Sequence, residues 1–270
     1  MDNSSQAIES PRRDGEIARN AIETRTWKKN WFILKTLVGK DFKVKYRRSV
    51  LGVVWSVLNP LLMMIVMSAV FSYMFRFNIE NFPLYLILGQ IMFSLMSDAT
   101  SGAMQSIIGA ASLIQKIRLE KVIFSLVNFL FSAIAAVAVM IYFQVIPTWD
   151  ILFLPLLIVY VVAFSAGLGL ILASLAVFFR DVIHLWSVVL TAWTYATPLF
   201  YPVELLPEIL QQAIQFNPMY QYILYFRNIM MYNITPTIEQ NLICIAMAAI
   251  SLALGIWVFR KTEHKFILYV

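Results

Sequence analysis

The sequence predicts an all-α integral membrane protein with six transmembrane helices. Of the 270 residues, 60% are hydrophobic and 13% are charged, whereas soluble domains usually carry about 25% charged residues. Apolar stretches lie at about 53–75, 84–106, 122–146, 151–178, 184–201 and 240–259. A spanning helix needs roughly 20 apolar residues. Because lipid offers no hydrogen bonds to bare backbone, these stretches should be helical.

Lysine and arginine predict the orientation of these spans. Nineteen of the 21 Lys and Arg residues fall on one side of the six-span arrangement, and only Arg76 and Arg227 fall on the other. Since cytoplasmic loops carry an excess of basic residues, both termini are predicted to be cytoplasmic. Residues 1–26 lack the apolar central region of a cleavable signal peptide, so we expect a polar cytoplasmic tail.

Residues 27–48 form a separate element before the transmembrane domain at 49–270. Its apolar side chains share one stripe of a helix, and they are Trp27, Trp31, Leu34, Val38 and Phe42. Tryptophan opposite lysine is typical of a helix lying in the membrane interface. The alternative is an amphipathic helix packed on a soluble domain, which these residues do not predict. A basic junction ends the element, formed by Lys43, Lys45, Arg47 and Arg48.

The segment at 198–239 contains five of the 10 prolines. Each apolar piece between these prolines is too short to span a bilayer. Short apolar helices of this kind can enter a membrane only where protein or a water-filled cavity surrounds them. We predict a re-entrant region at 198–231, with helices at about 203–215 and 219–231 that dip in from the outer side. The alternative is a pair of helices lying flat on the surface.

The sequence predicts neither an enzyme nor a metal site. A Gly-x-x-x-x-Gly-Lys-Ser/Thr phosphate loop does not occur. Gly167 and Gly169 lie inside a predicted span and are interpreted as close helix packing. Cys244 is the single cysteine, and the two histidines, His184 and His264, are far apart in the sequence.

Asp98 is the only ionisable residue well inside a predicted span. A charge there costs about 2.5–3.5 kcal/mol on insertion scales, so such residues usually have a role. One interpretation is a proton or cation site. The other is a structural polar patch, which would comprise Ser94, Ser97, Asp98, Thr100 and Ser101.

Aromatic residues make up 14% of the chain and cluster near the ends of the spans. An interfacial belt with internal packing explains such clusters. A stacking surface for sugar rings explains them too, because aromatic planes suit the apolar faces of sugars. Sequence alone leaves both interpretations open.

The connection at 107–121 has an apolar edge formed by Leu113, Ile114 and Ile117. A solvated turn has no need of such an edge. A short helix that docks into a soluble partner would explain it.

A family resemblance is carried by the run from Asp41 to Pro60, which reads Asp-Phe-Lys-Val-Lys-Tyr-Arg-Arg-Ser-Val-Leu-Gly-Val-Val-Trp-Ser-Val-Leu-Asn-Pro. It resembles the signature of the ABC-2 type permeases that export polysaccharides and teichoic acids. The segment Thr-Pro-Leu-Phe-Tyr-Pro at 197–202, the pair Asn217-Pro218 and the ending at 259–266 are also similar to this family. The similarity extends over nearly the whole chain.

The resemblance implies the permease subunit of an ATP-driven exporter in the bacterial inner membrane. Its cargo would be a lipid-linked polysaccharide or teichoic acid, moved to the outer face. Two permease copies would pair with two copies of a separate ATPase that binds Mg-ATP, with no cofactor in this chain. The 107–121 connection would be the coupling helix, and its contacts with the ATPase would be made by Ser112, Leu113, Ile114, Gln115, Lys116, Ile117 and Arg118.

The same resemblance places the first and fifth spans beside the translocation path. Under this hypothesis the aromatic residues that line the path are Trp55, Phe71, Tyr73, Trp193 and Tyr195. The basic junction would meet the phosphate of a lipid carrier at the inner leaflet, although attraction to anionic lipids also explains it. Two other functions remain open at this point. They are an ABC-2 exporter of drugs or small lipids, and a proton-coupled transporter that depends on Asp98.

Overall fold

The computed structural model describes residues 52–75, 79, 81–109, 128–130 and 132–263. The predicted tail at 1–26, the interfacial helix at 27–48 with its basic junction, and all seven predicted ATPase contacts lie outside the described residues. The division of the chain into these segments therefore stays a prediction.

Eight α-helices make up most of the described chain, and no strand occurs within it. They are α1 (Trp55–Phe75), α2 (Phe82–Gly109), α3 (Asn128–Tyr142), α4 (Leu154–Phe178), α5 (Val182–Ala196), α6 (Glu208–Ile214), α7 (Pro218–Arg227) and α8 (Ile238–Thr262). A 3-10 segment at Trp149–Phe153 leads into α4, and a π-helical turn at Asn228–Tyr232 follows α7. The prediction of an all-α fold is confirmed.

Three of these segments are long and apolar enough to cross a membrane. They are Phe82–Gln105, Trp149–Phe178 and Ile238–Thr262. Three shorter apolar helices, at Trp55–Phe71, Asn128–Tyr142 and Val182–Ala196, coincide with the other three stretches that the sequence marks as spans. The protein is therefore membrane-embedded.

The helix formed by the fifth apolar stretch is shorter than the stretch itself. The sequence marks apolar residues as far as 201, but α5 ends at Ala196, and Thr197 has an extended backbone with φ −101° and ψ 135°. Pro198 explains this end, because a proline disfavours helical backbone in the residue before it. The chain therefore leaves the helix at Thr197 and continues as a non-helical segment.

The helices α4 and α8 pack backbone to backbone at Gly167 and Gly255. A Cβ atom on Gly255 would lie 2.2 Å from the carbonyl oxygen of Gly167, and one on Gly167 would lie 2.3 Å from the backbone of Ser251. The Ser251 hydroxyl also donates a hydrogen bond to the Phe164 carbonyl, at 2.9 Å. A Cβ on Gly169 would come within 2.9 Å of the Ala103 Cβ in α2. The predicted close packing at Gly167 and Gly169 is confirmed.

Candidate functional site

A groove of about 360 Å³ opens between α1, α2 and α5. Two methionines of α1 form one wall, and residues of α2 and α5 form the others. The non-helical segment after α5 closes one end. The lining residues are Met63, Met67, Gln90, Phe93, Ser94, Ser97, Leu190, Thr191, Thr194, Tyr195, Leu199 and Phe200.

The α2 wall of the groove is polar. Gln90, Ser94 and Ser97 are spaced four and three residues apart, so they lie on one face of the helix. Ser94 is exposed, and the other two are half-buried. Exposed Asp98 and half-buried Ser101 continue the same face beyond the groove. A polar helical face in an apolar bundle requires water, protein or a polar ligand beside it.

The hydroxyl groups of the α5 wall donate their protons to backbone carbonyls of the same helix. The Thr191 hydroxyl donates to the Ser187 carbonyl at 3.0 Å, and the Thr194 hydroxyl donates to the Leu190 carbonyl at 2.7 Å. Each hydroxyl has one proton and two lone pairs. Since the proton is used within the helix, these oxygens face the groove as hydrogen-bond acceptors.

An aromatic cluster at the groove contains two of the predicted path residues, of which Tyr195 lines the groove and Phe71 does not. Tyr195 is 59% exposed, and its ring lies 5.9 Å from that of Phe200. Phe71 also stacks on Phe200, with centroids 5.4 Å apart. Phe200 therefore contacts both Phe71 and Tyr195, and it was not among the predicted path residues.

The other predicted path residues have different surroundings. Trp55 is 40% exposed at the start of α1 and does not line the groove. The side chain of Tyr73 lies outside the described residues. Trp193 is half-buried and faces inward, where its ring makes edge contacts with Phe93, Phe164 and Trp186. The role of these residues in a path stays a prediction.

Asn217 connects the inner face of α5 to α7. Its Oδ1 accepts hydrogen bonds from the Trp193 indole at 3.0 Å and from the Met219 backbone N–H at 3.1 Å. The second of these bonds caps the N-terminus of α7. Its Nδ2 donates to the buried Thr197 hydroxyl at 2.9 Å. Asn217 thus ties the C-terminal end of α5 to the start of α7.

Arg227, at the C-terminus of α7, fixes the segment that closes the groove. It is only 3% exposed, and its guanidinium donates to the carbonyls of Pro198 at 2.9 Å and Leu199 at 3.1 Å. It also donates twice to the Tyr85 carbonyl in α2, at 3.0 and 3.2 Å, and lies 3.3 Å from the centre of the Tyr85 ring. Arg227 therefore ties three elements together: α2, α7 and the non-helical segment.

Two further residues complete this arrangement around Arg227. A Cβ on Gly89 would lie 2.7 Å from Nη2 of Arg227, so glycine leaves the space that the guanidinium occupies. The Tyr85 hydroxyl donates to the carbonyls of Pro198 at 3.2 Å and Tyr201 at 3.0 Å. The charge distribution of the sequence predicts Arg227 at the outer side and does not indicate that it is buried.

Asp98 is exposed on the polar face of α2. The Asn128 side-chain amide lies 3.5 Å from one of its carboxylate oxygens. Thr100 does not share this face as the sequence interpretation assumed. It is fully buried, donates to the Met96 carbonyl at 2.9 Å and accepts from the Trp186 indole at 3.2 Å. Among the described residues, no three His, Cys, Asp or Glu side chains are grouped to hold a metal ion.

The fold and the groove define a membrane-embedded helical protein with a groove between its helices that is lined by both polar and apolar side chains. The chain belongs to the ABC-2 type transporter family, whose model matches residues 33–231. This match covers the groove, the Arg227 arrangement and the basic junction before α1.

Several proteins similar to this chain are polysaccharide export proteins. The chain is 30% identical to the O-antigen export system permease protein RfbA of Myxococcus xanthus over 247 residues, which cover 87% of this chain and 94% of the relative. It is 29% identical to a protein of the same name from Klebsiella pneumoniae, covering 87% and 93%. It is 26% identical to the capsule polysaccharide export inner-membrane protein CtrC of Neisseria meningitidis, covering 69% and 74%.

Proposed function

We propose that this chain is the permease subunit of an ATP-driven exporter that moves a lipid-linked polysaccharide across the bacterial inner membrane. The observation that carries the proposal is the groove between α1, α2 and α5, with polar side chains on its α2 and α5 walls, in a family member whose relatives are polysaccharide export permeases. A drug or small-lipid exporter of the same family would favour an apolar binding surface. Since apolar side chains also line this groove, it is the relatives that favour the polysaccharide, and the hydroxyl and amide groups provide hydrogen-bonding partners for its sugars.

The polar face of α2 would be energetically unfavourable if it were in contact with lipid. Lipid cannot satisfy hydrogen-bonding groups, so polar side chains in spanning helices usually face protein or a water-filled cavity. A hydrated glycan supplies both water and hydroxyl groups. The groove lies beside the first and fifth apolar helices, as the path of an exporter in this family would.

The proposed topology has six spans with both termini in the cytoplasm and two re-entrant helices. The helices α6 and α7 have 7 and 10 residues, so they are about 10 and 15 Å long. Neither could cross a hydrocarbon core of about 30 Å. Eight of the ten α7 residues are buried against neighbouring helices, which favours a re-entrant helix over one lying flat on the surface.

The proposed assembly contains two copies of this chain and two copies of an ATPase subunit that binds Mg-ATP. The missing phosphate loop is consistent with ATP hydrolysis in a separate subunit. The 107–121 connection would transmit its motion as the coupling helix. The basic junction would hold the carrier phosphate at the inner leaflet, beside the interfacial helix.

Depletion of this protein should cause one glycan on its polyprenyl carrier to accumulate in the inner membrane. The same polymer should disappear from the cell surface, because synthesis continues while export stops. Mass spectrometry of extracted lipid-linked glycans measures the first effect, and surface polymer analysis measures the second. An absence of accumulation together with new sensitivity to amphiphilic drugs would support the drug or small-lipid exporter instead.

Replacing Asp98 with asparagine should leave most of the export activity intact. The amide keeps the polar character and size of the side chain, so a groove that binds neutral hydroxyls tolerates it. A proton-coupled transporter would lose a group that must be titrated, and its activity would fall by orders of magnitude. Surface polymer per unit of membrane-inserted protein distinguishes the two, with Asp98→Leu as the variant that also removes polarity.

A further inference from the structure

The polar side chains beside the groove form two rows on neighbouring helices. On α2 the row is Gln90, Ser94 and Ser97, and on α5 it is Ser187, Thr191 and Thr194. We call these six residues the polar strip. On α2 the same face continues through Asp98 and Ser101 to the exposed Gln105, so it extends about 22 Å at 1.5 Å per residue.

The α5 row is uniform in its hydrogen bonding. The Ser187 hydroxyl donates to the His184 carbonyl at 2.7 Å, as Thr191 and Thr194 do to the carbonyls before them. All three oxygens therefore offer acceptor sites away from the helix. On α2 the Gln90 amide offers two donors and an acceptor, and the serine hydroxyls can do both. A sugar hydroxyl is also both donor and acceptor, so it complements both rows.

The charged side chains at the groove indicate whether its cargo is charged or neutral. The twelve residues that line it include no lysine, arginine or histidine. The ionisable side chain that follows on the α2 face is the carboxylate of Asp98. Proteins recognise phosphate and carboxylate groups with arginine, lysine or clustered backbone N–H groups. A polyanionic chain would meet no lysine, arginine or histidine side chain among the described residues that line this groove.

We propose that the polar strip binds the hydroxyls of uncharged sugar residues, with the exposed ring of Tyr195 as the adjacent stacking surface. This inference rests on the proposed function and specifies its cargo. It predicts a neutral glycan rather than a teichoic acid or another polymer with a charged group in each repeat. The hydroxyl groups of α2 and α5 then select the cargo, in addition to the aromatic residues that the sequence indicates.

The test is a variant of the full chain, expressed in its host, that loses four hydroxyls of the strip and keeps the shapes of their side chains. It combines Ser94→Ala, Ser97→Ala, Thr191→Val and Thr194→Val. The control combines Ser68→Ala with Thr262→Val. Ser68 lines a separate apolar groove, and the Thr262 hydroxyl likewise donates to its own helix, at the end of α8. Membrane insertion and dimer formation are measured for both variants.

We expect the four-hydroxyl variant to lower surface polymer by at least about tenfold, because each lost hydrogen bond contributes roughly twofold or more. The control should export normally, and both variants should insert and assemble as the unmodified protein does. The accumulated polymer should contain no phosphate or carboxylate in its repeating unit.

Three results would overturn the inference: normal export by the four-hydroxyl variant, a fall that accompanies loss of the dimer, or a polymer with a charge in each repeat. If export falls together with loss of the dimer, the polar strip makes contacts between two copies of the chain. Failure of the proposed function itself has a different signature, since depletion of the unmodified protein would then accumulate no polymer at all.

Discussion

Replacing Gly255 with leucine should remove most of the folded protein from the membrane. The Cβ alone would lie 2.2 Å from the Gly167 carbonyl oxygen and 2.7 Å from its Cα. These are backbone atoms of α4, so they cannot rotate away as a flexible side chain could. The two helices would have to separate along their whole contact. Overpacking usually lowers the free energy of unfolding by about 1–3 kcal/mol. Because a backbone must move here, we expect a loss at the upper end of this range or above it.

A matched control is available on the same helix. Ala249 of α8 is exposed, so Ala249→Leu adds the same bulk where the described protein leaves space. The amount of monodisperse protein after detergent extraction and its thermal midpoint measure the difference. Equal yields and midpoints for Gly255→Leu and Ala249→Leu would show that α4 and α8 do not pack through Gly167 and Gly255.

The helices and their close contacts could be predicted because they depend on local patterns. A long apolar run is helical in lipid regardless of its neighbours, and Gly167 and Gly169 inside such a run indicate close approach. The end of α5 illustrates the limit of this reasoning. Apolar composition continues to residue 201, whereas Pro198 ends the helix at Ala196. Here the local effect of one proline outweighs hydrophobicity.

The groove could be predicted only in part, since its parts come from distant positions in the chain. Phe71 and Tyr195 were indicated by their type and by the family resemblance. Phe200 lies in the run at 197–202 that resembles the family, but the sequence does not show that its ring contacts both of them. Trp193 has the same residue type, but its indole bonds to Asn217 in the interior. Which face of a helix turns to a groove is decided by packing, and periodicity alone does not reveal it.

Arg227 is the clearest case of a residue that the sequence could not place. Its charge was counted as a sign of membrane orientation, whereas the structure buries it among carbonyl groups from α2 and the segment after α5. These partners are up to 142 residues away in the chain. A small signal was present in Gly89, but the space it leaves is recognisable only once Arg227 is located.

Replacing Arg227 with methionine should destabilise the protein by roughly 3 kcal/mol and disorder the closed end of the groove. Exchanging a buried charge for an apolar group is often tolerated when its partner is exchanged too. Here the partners of Arg227 are backbone carbonyls, and they remain when the arginine is replaced. The Tyr85 hydroxyl still donates to the Pro198 carbonyl. The Leu199 carbonyl loses the donor that it has within the described structure, and a buried unpaired carbonyl costs about 1–3 kcal/mol.

Two milder variants separate the charge from its geometry. Lysine keeps the charge but lacks the planar fork that reaches two carbonyls at once, so Arg227→Lys should recover only part of the stability. Gly89→Ala keeps the arginine and moves it, because the new Cβ lies 2.7 Å from Nη2 and 3.1 Å from Leu199 Cδ2. Both should fall between the unmodified protein and Arg227→Met in thermal midpoint.

The position of the segment after α5 provides the second measurement. Leu199 and Phe200 line the groove, and their backbone is held by Arg227. A cysteine introduced at Leu199, which is 1% exposed, should react slowly with a membrane-permeant thiol reagent in the otherwise unmodified protein. It should react much faster when combined with Arg227→Met or Gly89→Ala. Buried Cys244 serves as the internal reference, because it lies in α8 and not in the affected segment. Unchanged labelling at position 199 in both backgrounds would show that Arg227 stabilises the bundle without positioning the groove.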